Sequence, residues 1–224
     1  MKYLIANWKS TKDVNAVLSW VDTFNKSIDK DKILQKKLNE NYLKIIICPS
    51  FHLLYPVKQN IYKNKNITLG AQNVSFFDQG NYTGEVSAQN IKDLVDYSIV
   101  GHSERRKYLK EKDNEIDQKA MLLKDYDIEP ILCVRNEKDL IPDKINLIAY
   151  EPVFAIGTGE SQALRDIINV KNKINTNKNY IFIYGGSVNS NNISQYLQST
   201  EISGFLVGNA SKDPISFIEM ATKI

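Results

Sequence analysis

Eight short apolar segments, most of them followed by an amphipathic stretch, constrain the fold of this chain more than any other feature. The predicted strands are Tyr3–Trp8, Tyr42–Cys48, Ile67–Asn73, Tyr97–Gly101, Ile128–Val134, Leu147–Glu151, Tyr180–Tyr184 and Gly204–Val207. They are nearly continuous apolar runs rather than alternations of apolar and polar residues. Strands that are covered on both faces, as in parallel sheets, have this pattern.

Helical periodicity fills most of the intervals between these strands. The predicted helices are Val14–Ile28, Phe51–Tyr62, Ala88–Leu94, Asn114–Tyr126, Leu164–Ile174, Asn191–Leu197 and Pro214–Lys223. The last has the clearest start, because Asp213 stands at the N-cap and Pro214 at the first helical position. Since composition does not change along the chain, we predict one α/β domain over residues 1–224. A closed (β/α)8 barrel is the predicted architecture, with an open doubly wound sheet as the alternative.

The connection after the fifth strand is shorter than the others. Successive strand ends are about 28 residues apart on average, whereas Cys133 and Tyr150 are only 17 residues apart. After the strand residues are subtracted, roughly a dozen residues remain, which is near the lower limit for a parallel crossover. We therefore predict that the helix after strand five is shortened or missing. The Asn136–Asn146 connection should have no helix comparable in length with its neighbours.

Composition gives no reason to expect a nucleic acid or membrane partner. The formal net charge is +3, with both signs mixed along the chain. No apolar run approaches the roughly 18 residues that span a bilayer, and the apolar run at the N-terminus is too short for a secretory signal. Cys48 and Cys133 follow apolar runs, as expected of buried, reduced thiols. We expect a soluble cytoplasmic protein.

Polar residues and glycines collect at the predicted C-terminal ends of the strands, where the loops of a parallel barrel build its functional site. They are Asn7, Lys9, His102, Glu151, Gly185-Gly186-Ser187 and Gly208-Asn209. Glycine-rich turns after the last two strands are suited to binding phosphate through backbone N–H groups. A lysine, an imidazole and a carboxylate around one cavity would supply electrophiles and a base for proton abstraction beside a carbonyl. Pro152 and a glycine-rich stretch follow Glu151, which is a composition typical of a hinged lid.

Seven segments of the chain together resemble the triosephosphate isomerase family. They are Asn7-Trp8-Lys9, Gly70 to Ser75, Tyr82 to Glu85, Gly101 to Arg106, Tyr150 to Gly159, Tyr184 to Val188 and Leu206-Val207-Gly208. They occur in the family's order and span almost the whole chain. The resemblance implies an isomerase of glycolysis and gluconeogenesis that interconverts dihydroxyacetone phosphate and glyceraldehyde 3-phosphate through an enediolate, without a metal or an organic cofactor.

The resemblance also implies a role for each site residue. Glu151 would be the base, and Lys9 would stabilise negative charge on the substrate with Asn7 as a neighbouring donor. His102 would be a neutral electrophile whose pKa is lowered by a helix N-terminus. The residues implied in substrate and phosphate binding are Asn7, Lys9, Gly157, Ser187, Gly208 and Asn209, and the supporting residues are Glu104, Ser103, Thr83 and Tyr184. The Gln72–Glu85 loop would bring Thr83 to the site of a second subunit, so that the protein would be a homodimer.

The chain departs from the family pattern at three places. Phe154 stands where the family usually has tryptophan, and Arg135-Asn136 where it has Gly-Glu. We interpret these two changes together as an altered anchor for the lid. Asn209 replaces a glycine of the strand-eight turn, and asparagine tolerates left-handed backbone angles.

Two other functions remain as alternatives. The barrel would be an isomerase of another small sugar phosphate, or a catalytically silent phosphate-binding or moonlighting protein. A silent homologue would be expected to have lost Lys9, His102 or Glu151, and all three are present.

Overall fold

The computed structural model describes residues 1–143, 145–152, 162–174 and 179–224. In these residues eight parallel strands form a closed barrel in chain order. The strands are β1 (Lys2–Asn7), β2 (Leu43–Cys48), β3 (Ile67–Ala71), β4 (Tyr97–Val100), β5 (Glu129–Val134), β6 (Leu147–Tyr150), β7 (Ile181–Tyr184) and β8 (Gly204–Val207). Each lies within two residues of its predicted bounds. The closed barrel is confirmed, and the open sheet is wrong.

Strand β1 closes the barrel because it pairs with β2 on one side and with β8 on the other. Leu4 lies opposite Ile45 of β2 and opposite Phe205 of β8. Alternation along the strands divides the apolar side chains between two buried clusters. The smaller cluster, which includes Ile5, fills the barrel. The larger one, which includes Leu4, lies between the strands and the surrounding helices.

Nine helices are found in the described part of the chain, and every predicted helix is among them. Their bounds are α1 (Val14–Lys30), α2 (Lys32–Asn39), α3 (Leu54–Asn60), α4 (Ala88–Ile91), α5 (Ser103–Tyr108), α6 (Asp113–Asp125), α7 (Leu164–Lys173), α8 (Ile193–Tyr196) and α9 (Pro214–Lys223). Two short 3₁₀ turns, Phe51–Leu53 and Asn209–Lys212, complete the set. None of these helices is both long and apolar enough to span a membrane.

Helices α2 and α5 were not predicted. Helix α2 buries only Leu34 and Leu38, and Asp31 both ends α1 and caps α2 by accepting a hydrogen bond from the backbone N–H of Leu34 at 2.9 Å. Helix α5 is short and highly charged, and Ser103 is its one buried residue. The two helices have only 8 and 6 residues, which is too short for a helical periodicity to stand out in the sequence.

The predicted shortening after strand five is confirmed, because the described residues between β5 and β6, which omit only Lys144, contain no helix. Instead the chain turns tightly, and Asp139 holds the turn. Its carboxylate accepts hydrogen bonds from the backbone N–H and the guanidinium of Arg135, at 2.6 and 2.5 Å. Ile145 is buried and Ile141 packs against the outer core, so these two side chains take the place of a helix against the barrel.

Closure of the barrel depends on the absence of a side chain at Gly204. A Cβ at this position would lie 2.7 Å from Tyr3 Cβ and closer still to the Tyr3 carbonyl oxygen. Because β1 and β8 are fixed by their ladder, neither backbone can yield cheaply. We expect Gly204→Ala to lower the free energy of unfolding by about 3 kcal/mol, measured by urea denaturation. Ser203→Ala, one residue earlier, is the control, and equal stability of the two variants would contradict this account.

Candidate active site

A cavity of about 380 Å³ opens at the C-terminal end of the barrel. It is lined by Asn7, Lys9, His102, Glu151, Gly185, Gly186, Ser187, Val188, Asn189, Leu206, Gly208, Asn209 and Ala210. The structure therefore brings together the residues predicted from the ends of strands one, four, six, seven and eight. Gly157, also predicted to bind phosphate, lies outside the described residues, as does Phe154.

Glu151 lies directly after β6 and is almost fully buried, with 3% of its surface exposed. Its backbone N–H continues the ladder to the Val134 carbonyl at 2.8 Å, so the residue is still fixed by the sheet. One carboxylate oxygen is 2.9 Å from His102 Nε2. The other accepts a hydrogen bond from the backbone N–H of Ser103 at 3.0 Å. These contacts hold a buried carboxylate in a defined position at the cavity wall.

His102 forms the N-cap of helix α5. Its Nδ1 accepts a hydrogen bond from the backbone N–H of Glu104 at 3.2 Å. An Nδ1 that accepts carries no proton, so in the neutral ring the proton lies on Nε2, which contacts Glu151. Capping of the helix therefore fixes the tautomer that presents a donor to the carboxylate.

The His102–Glu151 contact shifts the pKa values of the two groups in opposite directions. Burial works to lower the pKa of His102, but the charge and hydrogen bond of Glu151 outweigh it, and the pKa is raised. Burial works to raise the pKa of Glu151, and His102 together with Ser103 N–H outweighs it, so this pKa is lowered. The predicted lowering of the His102 pKa is wrong for this arrangement, because the Glu151 carboxylate lies 2.9 Å from the imidazole and raises its pKa.

Lys9 has a left-handed backbone, with φ of 54°, just after β1. Such a conformation is strained for a lysine and needs support from its neighbours. Asn7 Oδ1 accepts a hydrogen bond from the Lys9 N–H at 3.1 Å, and Ser50 Oγ and Gln72 Nε2 donate to the Lys9 carbonyl at 3.1 and 2.9 Å. At the other end of the side chain, Nζ lies 2.5 Å from a carboxylate oxygen of Glu104. The ammonium is thus held at the cavity wall by Glu104, one of the predicted supporting residues.

The turn after β8 differs from the expectation for Asn209. This residue begins the 3₁₀ turn Asn209–Lys212, a right-handed conformation, so the tolerance of asparagine for left-handed angles is not used. Gly208, which precedes it, lies against Lys9, since a Cβ at Gly208 would be 3.4 Å from Lys9 Cε. The turn and the ammonium are therefore close neighbours in one wall of the cavity.

Two supporting residues lie around this cavity rather than in its wall. Tyr184, at the end of β7, is buried, and its hydroxyl accepts a hydrogen bond from the backbone N–H of Gln162 at 3.2 Å. Gln162 is the first described residue after the predicted lid. Thr83 is exposed on the Gln72–Glu85 loop and does not line the cavity.

The altered lid anchor stays a prediction, because Phe154 is not described. Its other member, Asn136, accepts a hydrogen bond at Oδ1 from the Lys138 N–H.

Cys133 is a neighbour of Glu151 that the sequence analysis treated only as a buried thiol. Burial raises its pKa well above the ordinary value, and the Glu151 carboxylate adds to this effect. The thiol is therefore neutral beside the carboxylate. The pairing of β5 with β6 would have revealed this proximity, because Cys133 lies opposite Ala149, two residues before Glu151.

The fold and the site define a class of protein, namely a (β/α)8-barrel enzyme with a carboxylate, an imidazole and an ammonium at one cavity. A family model described as triosephosphate isomerase matches residues 2–224. The chain belongs to the triosephosphate isomerase family. It is thus an isomerase, an intramolecular oxidoreductase that interconverts dihydroxyacetone phosphate and glyceraldehyde 3-phosphate.

Curated relatives agree with this assignment. The chain is 37% identical to triosephosphate isomerase of Mesomycoplasma hyopneumoniae (strain 232), over 96% of both chains. It is 34% identical to the Aquifex aeolicus enzyme of that name, over 98% of both chains. The Mycoplasma genitalium enzyme is 35% identical, over 98% of this chain and 97% of its own.

The shifted pKa values make the stability of the His102–Glu151 pair depend on pH. The contribution of His102, whose pKa is raised from 6.5, is full below that pH and is lost as pH rises through the raised pKa. The contribution of Glu151 to stability has the opposite dependence, because its pKa is lowered from 4.5. This contribution is present above pH 4.5 and is lost as the pH falls through the lowered pKa. We expect His102→Gln to destabilise the fold more at about pH 5.5 than at about pH 9, in urea unfolding.

The other histidine provides the control for this measurement. His52 is exposed, and His52→Gln should give the same small change at both pH values. An equal loss of stability for His102→Gln at the two pH values would show that the imidazole carries no charge beside Glu151.

Proposed function

We propose that Glu151 is the base that moves a proton between the two carbons of the triose phosphate. The observation that carries this proposal is the buried contact of Glu151 with His102 Nε2 at 2.9 Å, in the wall of a cavity that Lys9 also lines. The pKa of Glu151 is lowered, so the carboxylate is ionised and able to accept a proton near neutral pH. The step belongs to glycolysis, as the name of the family implies.

In the proposed mechanism Glu151 turns from His102 and Ser103 towards the substrate. It removes a proton from C1 of dihydroxyacetone phosphate, and the electron pair of the C–H bond moves to give an enediolate. The charge that develops on the carbonyl oxygen is stabilised by the Nε2–H of His102 and by the ammonium of Lys9. His102 Nε2 gives its proton to the C2 oxygen and takes the proton of the C1 hydroxyl, and Glu151 returns its own proton to C2, which gives glyceraldehyde 3-phosphate. No atom is gained or lost overall, and the base is regenerated.

We further propose that the phosphate of the substrate binds at the turns after β7 and β8. Ser187, Gly208 and Asn209 line the same cavity as the acid–base pair. Backbone N–H groups at the start of such turns are donors suited to an anion. The side chain of Lys9 lies beside Gly208 and adds a positive charge. Asn7 Oδ1 accepts a hydrogen bond from the backbone N–H of Lys9, and the side-chain amide of Asn7 would act as a further donor to the substrate.

The role of Glu151 is tested by shortening its side chain. Glu151→Asp withdraws the carboxylate from the reacting carbon, and we expect kcat/KM for glyceraldehyde 3-phosphate to fall by roughly 10² to 10⁴. The inhibition constant of inorganic phosphate should stay nearly unchanged, because the phosphate turns are not altered. Glu219→Asp, at an exposed position of α9, is the matched control and should leave both values unchanged. Wild-type kcat/KM in Glu151→Asp would refute the base assignment.

We also propose that the protein is a homodimer formed through the Gln72–Glu85 loop. Residues 78–85 are exposed without interruption, although Tyr126 Oη of the same chain donates a hydrogen bond to Asp78 at 2.8 Å. The tip of the loop is ordered by stacking, since the rings of Phe77 and Tyr82 lie 4.1 Å apart and nearly parallel. At its base Lys119 Nζ donates to Asn73 Oδ1 at 2.8 Å. A stiff, exposed loop of this kind is suited to insertion into a second copy.

Two further proposals concern the chain as a whole. We infer that residues 1–224 form one domain, since all eight strands share one barrel. We also infer a cytoplasmic location, which the two buried free thiols, Cys48 and Cys133, support.

The dimer proposal is tested at the tip of the loop. We expect Thr83→Arg to shift the protein from dimer towards monomer in sedimentation equilibrium, because a bulky charge would enter the interface. The side chain of Thr83 is exposed, so the barrel itself should keep its far-UV circular dichroism. Ser19→Arg, at an exposed position of α1, is the control. An unchanged mass for Thr83→Arg would place any dimer contact elsewhere.

A further inference from the structure

The 3₁₀ turn Asn209–Lys212 contains a buried carbonyl group that accepts hydrogen bonds from two tryptophans. The indole N–H groups of Trp8 and Trp20 donate to the carbonyl oxygen of Ser211, at 3.2 and 3.1 Å. Ser211 is fully buried, and the two tryptophans are 1% and 2% exposed. A carbonyl oxygen has two lone pairs, so both are occupied by indoles that come from other parts of the chain.

Ser211 also organises the turn from within. Its hydroxyl lies 2.9 Å from the Val207 carbonyl oxygen and 2.7 Å from that of Gly208, so its single proton is shared between the two. Its backbone N–H donates to Gly208 at 3.0 Å. These bonds tie the turn to the end of β8 but do not orient it relative to the rest of the barrel. The two indoles supply that orientation, because Trp8 follows β1 and Trp20 lies on α1.

The same turn is tied to the loop that carries the ammonium. Trp8 directly precedes Lys9, and Lys12 Nζ donates to the Lys212 carbonyl at 2.7 Å. Gly208 lies against the Lys9 side chain. Any shift of the turn would therefore change the distance between the backbone N–H groups at its start and the lysine. The proposed function gives both the backbone N–H groups and the lysine a role in binding the substrate.

The N–H of Trp20 contributes something that packing alone does not. Its ring stacks on Phe24 with centroids 4.9 Å apart, lies edge-on to Trp8 at 4.7 Å and contacts Phe217 at 5.9 Å. A phenylalanine at position 20 would keep an aromatic side chain in this cluster. It would leave the Ser211 carbonyl with one donor in place of two, and the phosphate turn would lose one of the hydrogen bonds that hold it in position.

We propose that Trp20 is a positioning residue for phosphate binding, which acts through the Ser211 carbonyl on the turn that begins at Gly208 and Asn209. The inference rests on the proposed phosphate role of that turn. Trp20 touches no reacting atom, since it does not line the cavity. Its effect therefore falls on the binding of the phosphate group, and the chemical step at Glu151 is left unaltered.

The test compares Trp20→Phe with the wild-type protein. We expect KM for glyceraldehyde 3-phosphate and the dissociation constant of inorganic phosphate, measured by calorimetry, both to rise by roughly two- to tenfold, as the loss of one hydrogen bond would give. The value of kcat should change by less than about twofold. Trp8→Phe should act in the same direction. The double variant should exceed the product of the single effects, because the buried carbonyl then has no indole donor.

A matched packing variant separates positioning from general stability. Phe217→Leu removes a ring that contacts Trp20 but leaves Trp20 stacked on Phe24. It should lower the urea midpoint without a change in phosphate affinity. If Trp20→Phe behaves like Phe217→Leu, with lower stability but unaltered phosphate affinity and KM, the proposal is overturned.

The outcome for this inference is distinct from the outcome for the proposed function. Weaker phosphate binding in Trp20→Phe supports the positioning role whether or not Glu151 proves to be the base. A wild-type protein that isomerises its substrate but binds no inorganic phosphate in competition would refute the phosphate role of the turn, and with it this inference.

Discussion

The pairing of β1 with β8 is the constraint on which the rest of the structure depends. It brings the two ends of the chain's sheet together and places Lys9, just after β1, beside Gly208, just after β8. These residues are about 200 positions apart in sequence, and no local interaction could hold them together. The close approach needs Gly204, whose missing side chain lets β8 lie against Tyr3. The site is therefore a consequence of barrel closure.

The parallel arrangement of the strands also explains how charged groups can lie at one end of the barrel without entering its apolar interior. All eight strands end at the same face of the barrel, so their polar ends meet one another and the apolar interior stays apolar. At this face the buried Glu151 accepts a hydrogen bond from Ser103 N–H, and the half-buried Lys9 is paired with Glu104. A buried charge is tolerated when it is paired and hydrogen-bonded in this way.

Most of the fold and much of the site could be predicted from the sequence, because both have strong local signals. Continuous apolar runs located the strands within two residues, and the short interval before Tyr150 revealed the missing helix. Helices α2 and α5 were missed because they are short, with 8 and 6 residues, and helices of that length depend on caps and tertiary contacts. The proximity of Cys133 to Glu151 and the right-handed turn at Asn209 depend on register and on packing, which are not local properties.

The prediction that the pKa of His102 is lowered was the clearest error, and the cause of that error bears on the proposed mechanism. In the arrangement described here Glu151 is in contact with the imidazole and raises its pKa. In the proposed mechanism the carboxylate turns to a substrate carbon and accepts a proton, and its raising effect on the His102 pKa is then lost. The backbone N–H of Glu104 still occupies Nδ1, which favours the neutral ring. In the proposed mechanism His102 is then a neutral Nε2–H donor when charge develops on the substrate oxygen, so the shift in its pKa is a property of the resting pair.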